Sequence, residues 1–246
     1  MKRFLRTFHR WLGLAMALQI LAWMASGLYF ALFPIETIRG EHLAPEPEPM
    51  EAVHLVELVP GARVAVALDQ EFGHDWTLES ISVVDRQWQG AWRVAGRDEG
   101  EPFTRLVDGR SGRIVPMLDA DGALRAAELA VAGGGEIVAV ERVDEAPAGS
   151  EYRGKPLPAW RVSFAEPEGL NLYLDAWTGE VTARRTDRWR LFDVLWMLHI
   201  MDWSTRDDFN TWWLQLAAFL GVLVVLGGVA YWAITTTVFR RRRSSG

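Results

Sequence analysis

Two stretches without a charged side chain, Trp11 to Ile35 and Phe209 to Phe239, constrain this chain more than any other feature. They run to 25 and 31 residues of a total of 246. A helix rising 1.5 Å per residue needs about 20 apolar residues to cross about 30 Å of hydrocarbon. Both runs exceed that length, so each is expected to be a membrane span, and a soluble cytoplasmic enzyme is excluded.

The charges that remain set an orientation. Residues 1–35 carry Lys2, Arg3, Arg6 and Arg10 with no acid, Arg240 to Arg243 follow the second run, and the segment between sums to -14 within a net charge of -6. Basic residues flanking spans favour the cytoplasmic side, where anionic lipid and the membrane potential hold them. The expected topology therefore has both termini cytoplasmic and the acidic central domain in the periplasm of a bacterial inner membrane. An acidic domain repels phosphate, which argues against nucleic-acid binding. The apolar part of the first run exceeds the roughly 7–15 residues of a signal-peptide core, and no Ala-x-Ala site follows Tyr29; a retained anchor is expected. With no cysteine, disulfides, cysteine zinc sites, iron–sulfur clusters, thiol catalysis and c-type haem attachment are all excluded.

Between the runs, Pro45, Pro47 and Pro49 alternate with Ala44, Glu46 and Glu48. Proline at every second position blocks helix and ladder pairing, so residues 36–49 are expected to form an extended linker. Beyond it the sequence repeats itself. Ala91-Trp-Arg-Val94 returns as Ala159-Trp-Arg-Val162, and Asp108-Gly-Arg-Ser-Gly112 as Asp175-Ala-Trp-Thr-Gly179, at separations of 68 and 67 residues. Each copy, 50–118 and 119–187, reads as one helix on a small antiparallel sheet. The helices are expected at 50–59 and 121–132, and strands at 78–84 and 137–143, rich in β-branched residues. Each Ala-Trp-Arg-Val starts a further strand. Each Asp-x-x-Ser/Thr-Gly is a turn in which Asp accepts backbone N–H bonds and Gly supplies positive φ. Gly133-Gly-Gly135 reads as a helix stop.

A helix followed by hairpin strands ending in Asp-x-x-Ser/Thr-Gly resembles the PepSY module. Two such copies between membrane helices resemble the PepSY-associated transmembrane proteins of bacterial inner membranes. Phe8-His-Arg-Trp-Leu-Gly-Leu14 is similar to that family's entry into its first helix, and Leu198-His199 ahead of a Gly-rich last span to its exit. The resemblance implies an α+β membrane protein: spans at 11–35 and 209–239, a basic start at 1–10, a basic tail at 240–246, and a periplasmic tandem between. It also implies a link to ferric-siderophore reduction and to haem b held by membrane histidines, although some longer relatives have four spans and this chain two.

The residues offer several candidate sites. His9 and His199 lie near the membrane, and neutral imidazole is the usual axial ligand of haem b. His9 belongs to the cytoplasmic end of the first span and His199 to the periplasmic side, so within one chain they cannot share an iron; a homodimer could pair His9 with His9 and His199 with His199, or a partner protein could supply ligands. Lipid headgroup binding is the plainer role for His9. Trp189, Phe192, Trp196, His199 and Trp203 recur at spacings of three and four, so 188–208 reads as an aromatic interfacial helix. Asp202 is placed to orient the His199 imidazole, and a porphyrin or quinone against Trp196 and Trp203 is the sharper alternative. His42, His54 and His74 with Glu41, Glu46, Glu48 and Glu51 lack any two-ligand helical spacing, so no metal site is expected. The turns lack the Ala-Thr continuation of covalent flavin attachment, and Gly-Arg-Ser-Gly is not a nucleophile elbow. No Walker or dinucleotide fingerprint appears.

Small residues at Ala22, Ser26, Ala217 and Gly221 allow the spans to pack on each other or on another membrane protein, and Gln19 needs a hydrogen-bonding partner at its depth. The function expected is that of a non-enzymatic accessory of a membrane redox or iron-uptake system. Its expected partners are the bilayer and another membrane or periplasmic protein, or a second copy. Haem b electron transfer and peptidase modulation are the alternatives.

Overall fold

The computed structural model describes residues 2–46, 58–86 and 89–243. It divides into a helical unit, Met1–Ile38 with Trp189–Gly246, and a sheet unit, Arg39–Arg188.

The helical unit contains α1 (Lys2–Leu32), the short α2 (Ile35–Ile38), α5 (Asp187–Ile200, from Trp189 on) and α6 (Trp212–Arg243). α1 stops just before Pro34, whose ring leaves no N–H to continue the ladder. Arg10–Leu32 and Trp212–Ala230, 23 and 19 residues, are long and apolar enough to cross a membrane. The two spans touch each other. Gly221 faces Met16 and Trp23 of α1: a Cβ there would stand 3.5 Å from Met16 Cε and 4.0 Å from the Trp23 ring, ordinary packing distances. Leu18, Leu21, Met24 and Leu28 on α1, and Val222, Val225, Leu226 and Val229 on α6, are exposed. That uncovered apolar surface suits lipid as the surrounding solvent. The partner expected for Gln19 is not supplied by α6: its Nε2 is buried and makes no hydrogen bond among the described residues.

In the sheet unit, α3 (Gly61–Phe72) precedes β1 (Thr77–Arg86), β2 (Gln89–Asp98) and β3 (Glu101–Asp108); α4 (Ala120–Leu129) precedes β4 (Ile137–Val143), β5 (Ala159–Phe164), β6 (Asn171–Asp175) and β7 (Val181–Arg185). The strands form two antiparallel sheets, β1-β2-β3 and β4-β5-β6-β7. α3 starts after Pro60, at φ -58°, and presents Val64, Leu68 and Phe72 at four-residue spacing to Val94, Phe103 and Val107. The helix expected at 50–59 falls, through residue 57, outside the described residues, and residues 58–60 are not helical. The helix that covers this sheet lies at 61–72, and Pro60 stands at its N-cap.

α4 begins at Asp119, whose side chain accepts from the Gly122 N–H. It lays Ala123 and Ala127 on Val162, Leu172 and Leu174 of the second sheet. Leu43 joins this same core at 9 % exposure. The linker is therefore not extended throughout: Glu41–Leu43 is a 3-10 turn, and the Ala132 N–H donates to the Leu43 carbonyl. An apolar side chain ahead of the prolines is drawn into the core. Prolines 47 and 49 are outside the described residues. On the opposite face of β6, Tyr173 stacks on Tyr152 at 4.3 Å. Tyr152 belongs to the long connection between β4 and β5, which thus covers the face that α4 leaves open.

The two Asp-x-x-Ser/Thr-Gly turns carry the same bonds. Asp108 Oδ1 accepts from the N–H groups of Arg110 and Ser111, and Asp175 Oδ1 from those of Trp177 and Thr178. Gly112 and Gly179 close them at φ +68° and +74°. Trp92 Nε1 donates to the Val59 carbonyl at 3.0 Å, and Trp160 Nε1 to that of Leu118, also at 3.0 Å. Val59 N–H donates to Gly109, and Leu118 N–H to Ala176, both at 2.7 Å. The Ser111 hydroxyl and N–H, more than any other group, hold the Asp108 carboxyl below its usual range.

Candidate functional site

His199 occupies the last turn of α5 and is half-buried. Its Nδ1 lies 2.7 Å from Ser26 Oγ on α1, and its carbonyl accepts from Trp23 Nε1 at 2.8 Å. Ser26 Oγ also lies 2.8 Å from the Ala22 carbonyl. With the single Ser26 hydroxyl proton directed at the Ala22 carbonyl, Ser26 Oγ accepts from His199, whose imidazole proton is then assigned to Nδ1. That assignment leaves the lone pair on Nε2.

The aromatic stripe of α5 is real through His199 and closes on α1. Phe192 and Trp196 stack at 6.2 Å and 8°, Trp196 and His199 at 6.4 Å and 5°. Phe30 of α1 stands 4.9 Å from Phe192, 6.2 Å from Trp196 and 5.5 Å from His199. Periodicity identified the residues sharing a face; the protein's own first helix fills that face. Trp196 Nε1 donates to the Arg206 carbonyl at 3.1 Å. Trp203 does not continue the stripe. The helix ends at Ile200, Met201 takes φ +56°, and Trp203 is 60 % exposed.

Asp202 does not orient His199. Its carboxylate accepts from the N–H groups of Ser204, Thr205, Asp207 and Asp208 and from the Ser204 and Thr205 hydroxyls. Burial alone would raise its pKa, but these donors together hold it far below the usual carboxylate range. The loop after α5 is thus built around one carboxylate and tied to the helix by the Arg206–Asp193 pair. Asp202-Trp-Ser-Thr carries the same short-range capture signal as the Asp-x-x-Ser/Thr turns, so the loop was readable from sequence.

His9 lies on α1, and its side chain is outside the described residues. It precedes Ser26 by 17 residues, about 25 Å of helix axis, so His9 and His199 of one chain cannot share an iron. A bis-histidine haem joining His9 and His199 of a single chain therefore does not fit, and Phe30 and Trp196 flank the His199 ring. Among the described residues no three His, Asp or Glu side chains gather as metal ligands. His42 approaches Glu168 at 3.5 Å and His74 approaches Asp69 at 3.3 Å; His54, Glu48 and Glu51 are outside the described residues.

Burial lowers the His199 pKa from its usual 6.5. A histidine whose pKa falls on folding stabilises fully above 6.5, and that contribution is lost as the pH drops below it. In detergent melts, the stability advantage of wild type over His199→Gln should shrink from pH 7.5 to pH 5. A constant or growing advantage would contradict the neutral, serine-bonded imidazole.

Among known proteins, a family model described as the PepSY-associated TM region matches residues 6–246. No curated protein and no solved structure matches the chain.

Proposed function

The chain belongs to the PepSY-associated TM family, and on that premise we propose that it is a non-enzymatic interaction component of a membrane redox or iron-uptake system. In this reading both termini are cytoplasmic, and a duplicated pair of PepSY units stands in the periplasm to bind another protein. The observation that carries it is the filling of the α5 aromatic face by Phe30, with Ser26 on His199 Nδ1. These contacts tie His199 to α1, which supports placing recognition in the sheet unit. Blue-native electrophoresis of the full chain, solubilised in mild detergent from its own membranes, should show an assembly larger than the chain and its dimer. Migration as the bare chain or dimer would overturn the reading.

One observation favours a second reading. A ligating histidine is oriented by a hydrogen bond from its other ring nitrogen, and Ser26 occupies Nδ1 here, so haem b shared between two chains through His199 Nε2 is the alternative. The reduced-minus-oxidised spectrum of the purified protein separates the two. We expect it to be featureless; a b-type α band lost in His199→Ala would establish the alternative.

A further inference from the structure

The sheet unit contains one groove built twice. Arg125, Ala126 and Leu129 of α4 face Thr178, Gly179 and Glu180 of the second turn across about 340 Å³. Val66, Ala67 and Gln70 of α3 face Ser111, Gly112 and Arg113 of the first turn across about 570 Å³. The helix positions differ by a constant 59 residues and the turn positions by a constant 67. The two grooves are therefore the same place in each half of the unit.

Their occupancy differs. Val84 of β1 and Leu106 of β3 help line the α4 groove, so the first sheet seats against the second turn. Arg93 of β2 completes that joint, its Nε 3.1 Å from Glu180 Oε1. Among the described residues, no residue of β1 to β7 lines the α3 groove. Its charge is also inverted. Arg113 stands where Glu180 stands, and Arg63 where Gly122 stands. Arg63 is held across the turn: a Cβ on Gly112 would come within 2.7 Å of its Cγ. Neither arginine meets a carboxylate among the described residues. Glu71, in the same groove, is taken by Arg105 at 2.7 Å, and Asp108 by its own turn.

We propose that the α3 groove docks an acidic β-strand of another periplasmic protein, placing a carboxylate against Arg113 where the internal joint sets Arg93 against Glu180. The proposal rests on the interaction reading above and names the surface and the chemistry of the partner. A second copy of this chain does not suit. The strand position matching Arg93 in the second half is Arg161, a like charge, and the sheet face around Tyr173 is covered by Tyr152. Opposed like charges cost affinity, whereas a complementary pair directs the choice of partner.

The test uses the full chain in its native membrane, with benzoylphenylalanine in place of exposed Val66. Irradiation should link it to a different protein through a segment carrying Asp or Glu. R63E/R113E should cut the adduct at least tenfold, while the R125E control in the internal groove leaves it unchanged. No adduct, an adduct only to a second copy, or one indifferent to R63E/R113E would overturn the proposal. Blue-native migration distinguishes the failures. An assembly that persists without the Val66 adduct defeats the groove alone, whereas loss of any assembly defeats the interaction reading as well.

Discussion

Leu172→Ala is expected to lower the stability of the sheet unit by about 2–5 kcal/mol. Leu172, the second residue of β6, is 0 % exposed and shares a core with α4 and Leu43. Truncation removes its own burial and leaves a cavity, because a helix on one side and a four-stranded sheet on the other cannot both collapse inward. Leu129→Ala is the matched control: 64 % exposed on the rim of α4, it should change stability by no more than about 0.5 kcal/mol. A melt of the full chain in mild detergent, followed by near-UV circular dichroism, reads both. Equal, small shifts would mean that α4 does not cover this sheet as described.

Asp202→Ala should loosen the loop between α5 and α6. Four N–H groups and two hydroxyls converge on this carboxylate, and hydrogen bonds to a charged acceptor contribute about 1.5–3 kcal/mol each. Water replaces part of that. Amide exchange at Ser204, Thr205, Asp207 and Asp208 should nevertheless accelerate roughly 30-fold, the equivalent of about 2 kcal/mol. Asp202→Asn, which keeps one acceptor oxygen, should fall between. The pH dependence has a definite sign. A carboxylate with a depressed pKa stabilises above its usual 3.8 and loses that contribution only as the pH falls further. Protection measured from pH 7.5 to pH 4 should therefore not decline on account of Asp202. Unchanged exchange in Asp202→Ala would show that the loop is held by other contacts.

The two spans, the Ala-Trp-Arg-Val strands and the Asp-x-x-Ser/Thr-Gly turns were legible because each follows from local rules. Charge exclusion marks a span, alternation marks a strand, and an Asp followed by Gly at the right offset marks a turn. The helix at 61–72 was not legible because Gly61 and the β-branched Val64 and Val66 weaken its local helix preference, and its burial against the first sheet decides it. Leu43 was read as linker because burial depends on what the chain meets later, and the core it enters lies about 80 residues or more downstream. The His199 face shows the same limit. Spacing placed Phe192, Trp196 and His199 together, but nothing in the periodicity said that Phe30 would cover them. Trp203 fits the spacing and still leaves the face, because Asp202 captures the backbone first.

The cysteine-free sequence allows the central claim, two anchors around an extracytoplasmic sheet unit, to be tested directly. A single cysteine would be placed at exposed Glu128 of α4 and, in a second protein, at Ser245, and intact spheroplasts treated with a membrane-impermeant maleimide. Labelling at 128 before lysis, and at 245 only after it, is the expected result. Labelling at 245 in intact cells with 128 protected would contradict the orientation and the function drawn from it.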